Sequence, residues 1–578
     1  MGVGPAVFIS AGQRTEHYVP GAYSRSAAIG GQGGISAGNG VILGKSSMGK
    51  AGVLNEFASP REAQEILGDG ELLKAVALAF NPSPDYTPQK IFAMVVNDNK
   101  QAERQMKSGS NIILNLKSAV YGVPANQLKM QLSAGTDAGT KKAVFIFRGD
   151  DDTKETIDNI GKESISLLYT GAGSAATATI DNEKLAVSVA GATGDSIEVS
   201  FEDFPTIEQV VARLNDTGKF AAVQLETESN VASNQLDAVT GVDIKTAAQT
   251  LKSDLYALVS ALNNSCYIGK GNVEKEEGAA NTMPDVDADF VYFTGATAGT
   301  YTIADWNEAL GKLETENVQI VSSPSTDHAV HVLIGNHCAL MSSTVNRKER
   351  TYFVGGAKGE AMADALANAK SLNSKYGSYV YPAANVNSPL TGEAEDIPAS
   401  YVACMLLGME CAVSVNEPLT WKNLSVNQFL VKLKIPEMEK LIKGGVLCCG
   451  TTDDNRLAVI RAMTTYQGGS QLQLVERSMV REDLYMNRDL RNNYSKNVGR
   501  PGLDKGGAAV EILQNTARMW RTDGLVVPND KGENVWGIIV RKSGDKTYIE
   551  FNRNLTAPQN FFFITAYNYI YDTASVEV

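Results

Sequence analysis

The sequence predicts an α/β core, a mixed sheet flanked by helices, with an inserted β-rich domain and extended N- and C-terminal arms. Three observations lead there. Apolar strand runs alternate with amphipathic helix patterns from Gly40 to about residue 104 and again from about Thr246. Between about Asn111 and Gln235 the apolar period becomes two, with Gly- and Asp-rich turns between the runs. Residues 1–39 are rich in Gly, Ser and Ala and lack helical periodicity, while the chain closes on an aromatic run, Asn560 to Tyr571.

The first core segment, 40–104, opens with the strand Val41–Leu43. Ser59-Pro60-Arg61-Glu62 follows as a helix start, with Ser as N-cap, Pro at N1 and Glu at N3, and Gly68 stops that helix. Leu72 to Phe80 is a second helix, and Ile91 to Val96 returns as a buried strand, giving a βαβ-like unit. The inserted domain, 105–240, shows strict alternation at Leu128, Met130 and Leu132, at Leu185, Val187 and Val189, and at Ile197, Val199 and Phe201. One helix interrupts it, Thr206 to Leu214, with Ile207, Val210, Val211 and Leu214 on one face. The second core segment, 241–530, contains a helix from Thr302 with Trp306, Ala309, Leu310 and Leu313 facing inward. The strand Val318–Val321 follows, then helices over Asp327–Thr344, Glu360–Leu372 and Pro398–Cys411, with strands near Tyr352–Val354 and Tyr379–Tyr381 between them. In the C-terminal element, 531–578, Val535–Arg541 and Thr547–Phe551 pair around a Ser543-Gly544-Asp545 turn. The last strand, Phe561 to Tyr571, is aromatic on both faces, so it must be covered on both faces, in its own sheet or a neighbour's.

Composition narrows the function classes. At 578 residues the chain is too long for one core. A net charge of -13 argues against nucleic acid as a partner, because phosphate binders are usually basic. The longest apolar stretch, Tyr401 to Val415, is shorter than a membrane span and is broken by Glu410. No secretory signal is readable at Met1-Gly-Val-Gly-Pro-Ala-Val-Phe8. The six cysteines form no CxxC pair, and Cys448 and Cys449 point to opposite faces of a strand, which suits reduced, packed thiols.

Candidate catalytic and metal motifs fail on their chemistry. Gly44-Lys-Ser-Ser-Met-Gly49-Lys50-Ala51 nearly matches a phosphate-binding P-loop, but Ala51 stands where a magnesium-binding hydroxyl is required and no capped helix follows until Ser59. Gly34-Ile-Ser36-Ala-Gly38 matches the nucleophile-elbow string without the strand and helix that an elbow needs. His328 and His331 share a helix face from which His337 is displaced by about half a turn, and the other histidine, His17, is in the arm, so structural roles are expected. Asp150–Asp152 and Glu274–Glu277 are expected to be solvated loop charges. The chain is expected to have no catalytic residues, no cofactor and no metal.

The order of several elements resembles the contractile tail sheath proteins of bacteriophages. Pro20-Gly-Ala-Tyr23 is similar to an N-terminal element of that family, and Gly40 to Val53 to its first core strand and turn, which accounts for the P-loop-like string. Phe293-Thr-Gly-Ala-Thr-Ala-Gly299 with the following helix, Asn346 to Phe353, Pro398 to Ala403, Glu417 to Leu424, Gly444 to Val446, Arg461 to Thr465 and Val475 to Asp483 resemble successive family elements in order. The resemblance implies a structural subunit of a contractile sheath. Such subunits stack as six-fold rings around a tail tube, exchange terminal strands with neighbours, and contract to drive the tube through a host cell envelope. It implies tail tube, baseplate and tail terminator proteins as partners, with no nucleic acid and no membrane insertion, and a place in the virion tail after assembly in the host cytoplasm. On this resemblance Pro20, Gly21, Tyr23, Phe561, Phe563, Ile564, Tyr567 and Tyr569 are the expected intersubunit residues. Alternatives are the sheath of a phage-derived bacteriocin or injection system, or a nucleotide-binding enzyme using Lys50.

Overall fold

The computed structural model describes residues 38–149, 154–225, 231–499 and 507–568, together with the backbone of 6–10 and 13–17. Those last two pieces form an antiparallel hairpin, Ala6–Ser10 with Gln13–His17. The chain divides into two compact units, one made of 1–45, 52–96 and 301–578, the other of 46–51 and 97–300.

The first unit is built on an eight-stranded mixed sheet. Its order is Leu457–Arg461, Val446–Thr451, Gly377–Tyr381, Thr351–Gly355, Ile320–Ser322, Gly40–Gly44, Ile91–Val95 and Leu54–Phe57. Inner neighbours run parallel, and the outermost strand at each edge is antiparallel to its neighbour. Strands such as GVILG, IFAMV and TYFVG are buried along their whole length, as parallel strands covered on both faces must be. Their side chains divide between two cores by the two-residue period. Ile42, Ala93, Phe353, Val380, Leu447 and Cys449 face helices Glu71–Phe80 and Ala399–Ala412. Val41, Leu43, Met94, Tyr352, Tyr379, Val446 and Cys448 face helices Ile303–Leu313, His328–Met341 and Met362–Leu372. The adjacent cysteines therefore do lie on opposite faces of one strand.

Local caps explain where helices begin. Ser59 accepts from the Glu62 amide at 3.3 Å and opens helix Pro60–Leu67, while the Glu62 carboxylate reaches back to the Ala58 amide, one residue before the cap. Gly68 ends this helix at φ 70°, a conformation that favours glycine. Thr302 and Asp305 form a reciprocal capping box on helix Ile303–Leu313.

The second unit is antiparallel throughout and contains two cores. Strands Glu163–Tyr169, Ala175–Ile180, Lys184–Ala190, Ile197–Ser200 and Phe220–Gln224 pack with helix Ile207–Asn215 around Leu167, Leu185, Val199 and Val210. Strands Gln101–Ser108, Asn111–Tyr121, Leu128–Ala134 and Lys141–Phe147 pack with helix Asp254–Asn263 around Leu114, Leu128, Met130 and Leu258. The unit is thus wider than the expected 105–240. The α/β core does not resume near Thr246, because helix Asp254–Asn263 turns Leu255, Leu258 and Leu262 into the β-rich core. It resumes at Tyr301.

After the sheet, helices Arg477–Ser495 and Gly507–Thr522 enclose a small core around Met486, Leu513, Trp520 and Val526. The expected hairpin forms from Trp536–Ser543 and Lys546–Asn552, with Gly544 at φ 60° in its turn. The expected last strand does not form in the described residues. Asn554–Leu555 pairs with Val526–Val527, Pro558 then removes a donor, and no residue from 556 to 568 is in a strand.

Candidate functional site: a buried ion cluster and an exposed terminal segment

Two features of the first unit combine unusual chemistry with a place at the C-terminal side of the fold. The first is centred on Glu410, in the otherwise apolar helix Ala399–Ala412. Its side chain is fully buried. Arg477 grips it as a fork, Nε to Oε2 at 2.7 Å and Nη2 to Oε1 at 2.9 Å, and Arg481 Nη1 stands 3.2 Å from Oε2. Spare donors are spent on carbonyls and hydroxyls nearby. Arg477 Nη1 donates to the Tyr352 carbonyl and the Ser378 hydroxyl, and Arg481 donates to the carbonyls of Ser414, Val415 and Glu417. The Arg477 guanidinium also lies 3.5 Å from the Phe353 ring centre. Burial pushes the Glu410 carboxyl up, but the two arginines outweigh it and hold it below the ordinary range. The cluster ties helix Ala399–Ala412, two central strands and helix Arg477–Ser495 into one polar joint. Spacing alone carried a signal for it: a single Glu in an apolar helix, and two arginines four residues apart.

The second feature is the root of the C-terminal segment. Arg553 donates to Asp483 Oδ1 at 2.6 Å and to Asn487 Oδ1 at 3.1 Å, and its guanidinium lies against the Trp520 ring. Thr556 donates through its hydroxyl to the Gly524 carbonyl at 2.6 Å. Asn560 Nδ2 donates to Glu476 Oε2 at 3.2 Å. Glu482, buried beside this root, carries an Oε1 with no partner, and burial pushes its carboxyl up to about 8. Beyond Asn560 the anchoring weakens. Phe561 is 66% exposed, Phe563 94%, Ile564 88% and Tyr567 79%, so no described residue covers the faces that the sequence required to be covered. Phe561 lies against Arg461, and the Phe561 and Phe563 rings stack at 6.3 Å. Pro20, Gly21, Tyr23 and Tyr569 lie outside the described residues.

The remaining candidate motifs are spent locally. The stretch after strand Gly40–Gly44 is a turn with no helix, and Lys50 Nζ sits 5.8 Å from the centre of the Tyr121 ring. His331 Nε2 donates to the Ser325 carbonyl at 2.8 Å. His328 Nε2 meets the Ser371 hydroxyl at 2.8 Å, and His337 Nε2 accepts from Arg350. Burial pulls His331 and His337 down to about 4. No three His, Cys, Asp or Glu side chains among the described residues are grouped to hold a metal, and no described helix is long and apolar enough to cross a membrane. Glu274 pairs with Lys117 at 3.0 Å, while Gly34 to Ser36 and Asp150 to Asp152 lie outside the described residues.

No family model matches the chain. It is 27% identical to the tail sheath protein of Bacillus phage SP01 over 548 residues, covering 91% of each chain. It is 23% identical to the tail sheath protein of Staphylococcus phage Twort over 450 residues, covering 73% of this chain and 74% of that one. Among solved structures, a sheath tail protein from Listeria innocua superposes with a TM-score of 0.55 at 11% identity, covering 91% of this chain and 98% of the other. One from Desulfitobacterium hafniense gives 0.51 at 12% identity, covering 93% and 100%. The last two establish a shared fold.

Proposed function

We propose that this chain, a homologue of phage tail sheath proteins and, like them, structural rather than enzymatic, is the subunit of a contractile tail sheath. It polymerises as stacked six-fold rings around a tail tube and contracts to drive the tube through the host cell envelope. Tube, baseplate and terminator proteins are its partners. Assembly in the host cytoplasm precedes its place in the virion tail. The observation that carries the reading is the match to a tail sheath protein across 91% of both chains, which leaves no large segment of either unaccounted for.

The exposed run from Phe561 to Tyr567 supports polymer formation. A contiguous row of uncovered aromatic side chains is a liability in a monomer and a docking element in an assembly. On this reading the segment adds to a sheet of a neighbouring copy, together with the N-terminal arm that includes Pro20, Gly21 and Tyr23. Negative-stain microscopy of the purified full chain tests the proposal. Rings or helical tubes are expected, and a monodisperse monomer at all concentrations and salts would overturn it.

A further inference from the structure

Helix Arg477–Ser495 carries four arginines on one face. At ~100° per residue, Arg477, Arg481, Arg488 and Arg491 fall within about 80° of one another. Three have carboxylate partners in the chain. Arg477 and Arg481 share Glu410, and Arg491 meets Glu349 at 2.5 Å while donating to the Arg347 carbonyl at 3.2 Å.

Arg488 has none. No hydrogen bond or ion pair joins its guanidinium to any described residue, and its contact is with the Tyr485 ring, 5.6 Å away. It is half-buried and lines a hollow of about 180 Å³ with Glu316, Arg347, Lys348, Glu349 and Arg491. Lys348 is committed to the carbonyls of Glu314 and Thr315, at 2.7 and 2.8 Å. Glu349 is bonded to Arg491 and attracts Arg488 only through space, since neither it nor Glu316 comes within ion-pair distance of Arg488. The hollow thus presents a partly desolvated guanidinium whose donors meet no acceptor among the described residues, a fork shaped for a carboxylate.

We propose that the Arg488 hollow is a carboxylate-binding site, filled by an Asp or Glu side chain of a second copy of this chain. The second copy is favoured by charge. The chain carries 65 Asp and Glu against 52 Lys and Arg, so packed copies repel unless acidic groups find cationic seats. The choice of occupant rests on the sheath reading.

Carbodiimide coupling tests it. Guanidinium groups do not couple under these conditions, whereas an amine at the same place does, so full-length R488K is assembled from a mixture of nitrogen-15-labelled and unlabelled copies and treated with the reagent. The expected product is an amide from position 488 to an Asp- or Glu-containing peptide, found in mixed-isotope pairs and missing from wild type and R488A. In parallel, the wild-type polymer and the dissociated chain are treated with an arginine-specific glyoxal, which needs no substitution. Arg488 is expected to react at least about tenfold more slowly in the polymer, as a guanidinium engaged and covered by a partner does. Polymers that show equal Arg488 reactivity, or links from position 488 only to Glu316 or Glu349 of the same copy, overturn the site. Failure of the wild-type chain to form any polymer overturns the sheath reading, and the second copy as occupant with it.

Discussion

Arg477 holds Glu410 in a two-point grip, 2.7 and 2.9 Å, where both side chains are almost wholly shut off from water. The pair joins two segments 67 residues apart. It sits where helix Ala399–Ala412 crosses the central strands, so its loss is felt by the sheet and by the C-terminal helix together.

Glu410→Ala leaves two buried guanidinium groups with no anion. The expected cost is about 3–5 kcal/mol, the range for breaking a buried ion pair from one side. Replacing all three residues by methionine is not expected to restore stability, because Arg477 and Arg481 also satisfy the carbonyls of Tyr352, Ser414, Val415 and Glu417. Urea unfolding checks both statements. The same cluster gives an acid dependence. Glu410 is held below its ordinary value, so its stabilisation is present above the unfolded carboxylate range, near 4.5, and is lost as pH falls through the lower folded value. The acid limb of the wild-type stability profile should therefore be steeper than that of E410A.

Much of the core was legible because its signals are local. The continuous apolar runs of Gly40–Gly44 and Ile91–Val95 admit few other readings, and the caps at Ser59, Thr206 and Thr302 mark helix starts to within a residue. The boundary of the β-rich unit was not legible, since helix Asp254–Asn263 has the periodicity of a core helix and only tertiary packing decides which core it joins. The absence of a strand over Phe561 to Tyr567 was not legible for a different reason. Strand formation needs a second edge, and the sequence of one chain does not say where that edge is. The Arg477–Glu410 joint lay between these cases, since both spacings are visible but their meeting depends on the fold.

Glu482 predicts an opposite limb, a loss of stability as pH rises through neutrality. Burial raises its carboxyl to about 8, so the stability it contributes is fully present below about 4.5 and is lost as pH rises through 8. One proton sets the limit, ~1.4 kcal/mol per pH unit. Glu482→Gln should remove this slope between about pH 4.5 and 8 without changing the acid limb, as measured by denaturant unfolding across that range. An unchanged slope in E482Q would assign the loss to other groups.

Lys50→Ala should assemble as the parent does. The lysine rests on the Tyr121 ring, a contact worth about 0.5–1 kcal/mol at an exposed site, and Ala51 supplies no hydroxyl for a metal-bound phosphate. Electron microscopy and a phosphate-release assay check this. Nucleotide hydrolysis by the parent that disappears in K50A would defeat the structural reading.

The β-rich unit should be removable. The Asp98 amide donates to the Thr300 carbonyl at 3.1 Å and the Lys100 amide to the Thr297 carbonyl at 3.0 Å, so the chain segments entering and leaving the unit run side by side. A short Gly/Ser linker in place of residues 98–300 can therefore close the gap. The shortened chain is expected to melt cooperatively and to form a polymer. Soluble, folded monomers that never assemble would show that the unit takes part in subunit contacts.

Truncation separates the two ends of the chain. Residues 1–28 precede the described core strands, and their removal should leave a folded protein that no longer polymerises. The C-terminal cut has a different expectation from the one the sequence alone suggests. A buried last strand would make its loss ruinous, but Phe563 and Ile564 are about as exposed as free side chains, and Asn560 keeps its bond to Glu476 if the cut falls after it. Deleting 561–578 should therefore cost little stability, of the order of 1 kcal/mol or less, as for a surface change away from any buried feature. On the proposed sheath reading polymer formation should be lost nonetheless, because that reading docks the aromatic run on a second copy. Thermal unfolding and sedimentation velocity on the same sample decide the matter. A melting temperature close to the parent's with monomers alone in sedimentation is the expected result, and full-length tubes from this truncated chain would remove the segment from the assembly contacts.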